Sequence, residues 1–243
     1  MSILFSVITI TRNNLDGLRR THESIAAQSY TNYEWIVIDG ASHDGTEAYL
    51  KTTNDLSVSE PDHGIYDAMN KGIDRAQGEY LIFMNAGDVF AEPNTLEQLS
   101  QNIDADFIYG DAREDASYKT ARPHKKITYG MFTHHQSMIY KRATIGTLRY
   151  DINYKIAADY KFTLEFLQRA QKISYRPLPI CIFEQGGLSQ KQVRLGRIEQ
   201  FSIRRAAGFS MIQSAIIYAK QSITMLLRRL FPALYWGLRK QPK

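Results

Sequence analysis

Two aspartates stand where an apolar run breaks off, and that placement suits chemistry. Asp88 ends the run that begins at Tyr80, and Asp39 ends the run that begins at Tyr33. In open α/β sheets, ligands gather beyond the carboxyl ends of the strands, where loops turn polar groups into a crevice without burying them unpaired. Asp88 is therefore a candidate for the metal or phosphate side of a ligand, and Asp39 lies in the same topological place. The alternative for either residue is to cap the turn that follows.

The elements that must position them can be read from periodicity. Leu4 to Ile10 is a β-rich run, followed by Thr11, Arg12, Asn13 and Asn14 and a helical pattern through Leu15, Leu18 and Ile25. After Asp39 comes a turn in which Ser42 or Asp44 is suited to cap a helix carrying Ala48, Tyr49 and Leu50. Strand, loop and helix recur three times in the first ninety residues, which predicts βαβ units and a mostly parallel sheet covered on both faces. A further helix, Ile65 to Ala76, starts after Gly64, so its first N–H groups and positive dipole end are open to a phosphate. Asp67, Asn70 and Lys71 lie on that helix, facing either a ligand or solvent.

Taken as a set, these motifs carry a resemblance. The first strand with Thr11 to Asn14, the block Ile38 to Thr46, the block Asn85 to Asp88 and the Ala157-Ala158-Asp159 segment look like a family 2 glycosyltransferase of the GT-A fold. The segment Ser59 to Gly72 resembles the branch found in bacterial exopolysaccharide clusters of the colanic-acid kind. The likeness spans Phe5 to Ser189 and fades beyond Gln190. It implies that Asp39 accepts a hydrogen bond from a ring N–H of the donor base. Thr11 and Asn13 would line the same pocket or else form its turn, and Asp62 would lie near base or ribose. By the same resemblance the helix bearing Asn70 and Lys71 faces the donor. Asn85 and Asp88 occupy the place of the family's Asp-x-Asp motif, where this chain departs from it. One carboxylate can hold Mg²⁺ or Mn²⁺ that borrows oxygen ligands from water and phosphate; Asn85, being neutral, fits ribose better than metal. Asp159 takes the position of the general base, with helix capping as its alternative. His135 would bind acceptor or donor sugar, since no third ligand at familiar spacing joins His134 and His135 into a zinc site. After Gly186 and Gly187 a flexible loop is expected, from which Arg194 or Arg197 folds over the diphosphate.

Composition bounds the rest. A chain of 243 residues accommodates one α/β domain with a substantial core, expected over residues 1–190. The single cysteine, Cys181, lies in an apolar run and reads as a buried thiol in a reducing compartment. No basic region precedes the first apolar stretch, so no signal peptide is expected and the reading is cytoplasmic. The polar stretch Ala112 to Lys126 reads as a connection or short hairpin. From Lys191 onward there are eleven Lys/Arg against one acid, Glu199, which leaves 19 basic and 24 acidic residues before it. The body is thus near −5 and the tail, residues 191–243, near +10. Within the tail Ile212, Ile216, Ala219, Ile223, Leu226 and Leu230 recur at helical spacing, away from Gln213, Lys220, Gln221 and Arg228. A basic amphipathic helix followed by Leu230 to Trp236 suits an anionic membrane interface, with packing on the domain or a homodimer contact as the alternative. Nucleic acid is not the expected partner, because phosphate contacts have no need of so long an apolar seam.

The expectation is an inverting glycosyltransferase, moving a hexose or deoxyhexose from a UDP-, GDP- or dTDP-linked donor to a hydroxyl of a lipid-linked saccharide during exopolysaccharide assembly at the inner face of the membrane. A sugar-nucleotide nucleotidyltransferase would need a glycine-rich phosphate loop where Thr11 to Asn14 stand. A non-catalytic carbohydrate-binding or assembly protein on the same fold would account for Asn85.

Overall fold

A computed structural model describes residues 2–53, 56–115 and 117–231, with backbone alone at 188, 189, 228 and 229. Pro232 to Trp236, the aromatic end of the expected membrane segment, and the side chain of Arg228 lie outside what is described. The strands are β1 (Phe5–Thr11), β2 (Tyr33–Asp39), β3 (Ser57–Ser59), β4 (Tyr80–Phe83), β5 (Val89–Phe90), β6 (Phe107–Glu114), β7 (Ser117–Lys119), β8 (Met138–Lys141) and β9 (Ile173–Phe183). The helices are α1 (Leu15–Ala26), α2 (Thr46–Thr53), α3 (Ile65–Arg75), α4 (Thr95–Ser100), α5 (Arg142–Ile145), α6 (Ala158–Arg169), α7 (Leu188–Lys191), α8 (Val193–Ala206) and α9 (Met211–Leu230).

All strands join one sheet in the order β3-β2-β1-β4-β8-β6-β9-β5, with β7 hairpinned onto β6. β1 runs parallel to both β2 and β4, and every residue of β1 is buried. Such a strand has a helix layer on each face, which is why it reads as unbroken apolar sequence. Successive side chains still alternate. Ile8, Ile10, Ile36, Ile38 and Phe83 face one layer with Tyr66, Met69, Ile73, Phe162 and Phe166. Phe5, Val7, Trp35, Val37 and Ile82 face the other, with Leu18, Ile25, Leu50 and Leu96. The expected α/β sandwich is therefore present, and its antiparallel members, β8, β7 and β5, belong to the later half of the sheet.

Local signals set the helix starts. Asn14 caps α1 by accepting from the Gly17 N–H at 3.1 Å. Asp44, of the two candidates for α2, accepts from the Thr46 N–H and also from the Leu15 N–H of α1. Gly64 begins α3 at φ +116, and no side chain caps it. The turn is closed instead by Asp67, which accepts from the His63 N–H at 3.0 Å.

Beyond residue 190, where the tail is expected to begin, the chain continues in α8 and α9. α8 lies on the sheet's helix layer, with Ile203 in the main core. Its Glu199, 8% exposed, accepts the N–H groups of Lys155, Ile156 and Ala157 at 2.8, 2.9 and 2.8 Å. α9 starts with a capping box between Ser210 and Gln213 and lays Ser214 and Ile217 inward. Its apolar stripe faces outward: Ile212, Ile216, Ile223, Leu226 and Leu230 are all exposed. Among the described residues no helix is long and apolar enough to cross a membrane.

Candidate active site

The carboxyl ends of β1 and β4, the start of α3, the loop before α6 and the inner flanks of α8 and α9 line one cavity of about 1010 Å³. That is ample for a nucleotide sugar. Asp88 lies on its wall, at the turn that follows β4, and is 4% exposed. Its Oδ2 accepts from the Gln136 amide at 2.6 Å and its Oδ1 from the Glu184 N–H at 2.9 Å. Burial pushes the Asp88 carboxyl up to about 6 despite these donors.

Asp159 lies on the same cavity, in the first turn of α6. It is not the helix cap, a position held by Ala157 without a side-chain bond. One oxygen, Oδ1, accepts from the Tyr160 N–H at 2.7 Å and lies 3.5 Å from the Tyr66 hydroxyl, which itself donates to the Ile156 carbonyl at 2.7 Å. The second oxygen takes no hydrogen bond from the described residues. Burial raises this carboxyl also to about 6. A partly buried carboxylate with one free oxygen and a raised affinity for protons has the properties of a general base near neutral pH. The loop that presents it is held by Glu199, whose three accepted N–H groups immediately precede the helix.

Near the strand ends, three wall residues hold buried polar atoms with no partner among the described residues: Thr11 Oγ1, Asn85 Oδ1 and His135 Nδ1. His135 is kept neutral, its imidazole pushed down to about 3 by burial, and its Nε2 pairs with the Tyr150 hydroxyl at 2.7 Å. Unpaired buried groups cost about 1–3 kcal/mol each, so their gathering on one wall marks a place built for a polar ligand.

Of the residues picked from sequence, Thr11, Asp62, Asn85, Asp88, His135, Asp159 and Arg197 line the cavity, whereas Asn13, Asp39, Asn70, Lys71 and Arg194 do not. Asn13 is a turn residue at φ 50, linked to Ser42 and His43. Asp39 is wholly buried and accepts from Ser42 and, at 2.6 Å, from Ser59. Both ends of the Asn70 amide bond the backbone of Tyr150, at 2.9 and 2.8 Å. Lys71 pairs with Glu60 at 2.8 Å on the outer side of α3. Arg194 is exposed on α8, three residues short of Arg197. Residues that sequence reasoning missed are Gln136, Tyr66 and Glu199. Glu199 had a signal, being the lone acid in a basic tail; Gln136 and Tyr66 had none of their own.

Among the described residues no three His, Cys, Asp or Glu side chains converge. The Asp88 carboxylate is a hard oxygen donor on the cavity wall, of the kind that suits an Mg²⁺ or Mn²⁺ completed by substrate phosphate and water.

The profile of Glycosyl transferase family 2 matches residues 6–169, and the chain belongs to that family. An uncharacterised glycosyltransferase of Mycobacterium tuberculosis is 34% identical over 209 residues, covering 75% of this chain and 76% of its own. A PGL/p-HBAD biosynthesis glycosyltransferase of the same species is 27% identical over 228 residues, covering 86% and 88%. Among solved structures, S. aureus TarS in complex with UDP-GlcNAc superposes with a TM-score of 0.70 at 17% identity, over 98% of this chain and 76% of that one. The Pyrobaculum calidifontis mannosyltransferase in complex with GDP-Man and Mn²⁺ gives 0.66 at 16%, over 96% and 74%. The fold is that of the GT-A glycosyltransferases, and the protein is a glycosyltransferase.

Proposed function

We propose that this chain moves a sugar, with inversion, from a nucleotide-diphosphate donor to a hydroxyl of a lipid-linked saccharide in cell-surface polysaccharide assembly. The observation that carries it is the meeting of Asp88 and Asp159 on one cavity beside three unpaired polar atoms. A PGL/p-HBAD biosynthesis glycosyltransferase and complexes with UDP-GlcNAc and GDP-Man stand among the similar proteins, in line with a nucleotide-sugar donor.

In this reading Asp88 would hold an Mg²⁺ or Mn²⁺ at the diphosphate end of the donor, where the ion would offset the charge developing on the leaving diphosphate, and Asn85 would meet the ribose. Thr11 Oγ1 and Asp62 meet the nucleoside portion, and Arg197 approaches the diphosphate from α8. The neutral His135 offers Nδ1 to a sugar hydroxyl. The free oxygen of Asp159 takes the proton from the acceptor hydroxyl as that oxygen forms its bond to the anomeric carbon. The bond to the diphosphate oxygen breaks on the opposite side, and its electron pair leaves with the nucleotide. A single displacement of this kind inverts the anomeric centre. The exposed stripe of α9, with the basic tail around it, rests on the anionic inner face of the membrane, where area burial and charge act together.

Two measurements test the reading. A thermal melt against UDP, GDP and dTDP sugars identifies the donor, since a ligand at about a hundred times its dissociation constant stabilises by roughly 2.7 kcal/mol. Donor consumption that depends on a lipid-linked acceptor then separates transfer from nucleotidyl transfer and from binding alone; binding with no consumption under any acceptor would reject the enzyme reading.

A further inference from the structure

The cavity extends well past Asp159, and its far wall has a different character. Near the strand ends its charged lining is Arg12 with Asp62, Asp88, Asp159 and Glu184, so acids predominate; at the helical end it is Arg122, Arg197 and Lys220. That end is roofed by an amide bridge in which Gln221 of α9 donates to the Tyr129 carbonyl at 3.1 Å and to Gln200 of α8 at 3.0 Å. The Gln221 Oε1 atom is buried there without a partner among the described residues. Ile217, Gln221 and Thr224 turn one flank of α9 to the cavity, while Ile212, Ile216, Ile223, Leu226 and Leu230 hold the outer flank in the open.

Lys220 lies on the seam between the two. It is a helical turn from Ile216 and Ile223 on the apolar side, and equally from Ile217 and Thr224 on the cavity side. Its side chain is exposed, and its ammonium makes no ion pair with the described residues. A polar trough ending at a cation, with an apolar strip continuing outward, is complementary to an amphiphile whose anionic group joins a glycan to a lipid.

Resting on the glycosyltransferase reading, we propose that the α9 end of the cavity is the acceptor's subsite, that Lys220 reads the phosphate joining saccharide to lipid, and that the apolar flank of α9 receives the lipid. The unpaired Gln221 Oε1 accepts from a hydroxyl of the saccharide. α9 is in this way a specificity element, and its apolar stripe leads an acceptor already in the membrane toward Asp159.

The test uses the full chain with farnesyl diphosphate, farnesol and inorganic diphosphate as probes, read by calorimetry, on wild type, Lys220→Gln and Lys220→Glu. Nucleotide affinity of each variant, measured in parallel, reports an intact donor end. The expectation is that wild type binds farnesyl diphosphate at least about tenfold tighter than either fragment, and that Lys220→Glu removes about tenfold of it while farnesol binding is unchanged. Equal affinity for farnesyl diphosphate and farnesol, or no change in Lys220→Glu, overturns the assignment. Phosphatidylglycerol vesicles form the second arm: if Lys220→Glu loses vesicle binding but keeps farnesyl diphosphate, the lysine serves lipid headgroups and the acceptor subsite is rejected. Retained nucleotide-sugar binding with failed probe binding refutes the subsite alone, whereas loss of both in wild type refutes the glycosyltransferase reading beneath it.

Discussion

Replacing Asp159 by asparagine distinguishes a proton acceptor from a structural carboxylate, because the amide keeps the shape and can still accept from the Tyr160 N–H. An amide cannot take up the acceptor's proton at neutral pH, so turnover should fall by about 10² to 10⁴, or roughly 3 to 5 kcal/mol of barrier. Stability should move the other way. The folded carboxyl titrates near 6 and its ordinary value is 3.8, a difference worth at most about 3 kcal/mol, less whatever its partial exposure screens. Since the folded value lies above the unfolded one, ionisation opposes folding above pH 6 and ceases to do so below about pH 4. Asp159→Asn is therefore more stable than wild type at pH 7 to 8, by up to roughly 6 to 12 °C in Tm for a domain of this size, and the gain vanishes in acid. The assays are transfer rate at saturating acceptor, donor affinity by calorimetry, and melts from pH 4 to 8. Near-normal transfer would refute the base; loss of donor binding would move Asp159 to the nucleotide; a gain in Tm that does not depend on pH would refute the raised carboxyl.

Other predictions address the neighbouring groups. Asp88→Asn should abolish cation dependence of donor binding, and in wild type that dependence should weaken as pH falls through about 6, where the carboxyl takes a proton; full activity of wild type in excess chelator contradicts this. Asp39→Ala removes the acceptor shared by Ser42 and Ser59 and should cost about 1 to 3 kcal/mol of stability by denaturant melt. A parallel loss of nucleotide affinity in the folded variant places the base beside it, and an unchanged affinity confines it to the turn. Glu199→Gln leaves part of the 155–157 N–H set unpaired and should cost about 2 to 4 kcal/mol, with transfer slowed more than donor binding; equal loss in both would detach Glu199 from Asp159. Ile216→Glu with Ile223→Glu should cut binding to anionic vesicles at least tenfold, consistent with about 2 kcal/mol of apolar burial per side chain, and undiminished vesicle binding would place the membrane contact elsewhere.

Much of the fold is local in origin and was legible in the chain. Strand alternation and helical spacing are properties of a few consecutive residues, so β1, β2, β4, α1 and α3 could be placed, and with them the ends on which Asp39 and Asp88 stand. Asp159 was legible through the order of its motif. Contacts between distant segments were not, since any amide or hydroxyl looks alike until packing selects its partner. Asn70 read as a donor ligand, and its two bonds to the backbone of Tyr150 could not be read. Gln136 meets Asp88 across 48 positions and Tyr66 nears Asp159 across 93, with no spacing that records either.

The tail shows the division most directly. Its amphipathic period was written in the sequence, but which flank would meet the protein was not, and the common expectation is that the apolar one does. Tertiary structure decided otherwise, because Gln221 finds the Tyr129 carbonyl and Gln200 at the cavity rim while Ser214 and Ile217 fit against the domain. Hydrogen-bond partners fixed in space outweigh a hydrophobic pattern that has no cover on that side, so the apolar stripe is left facing out.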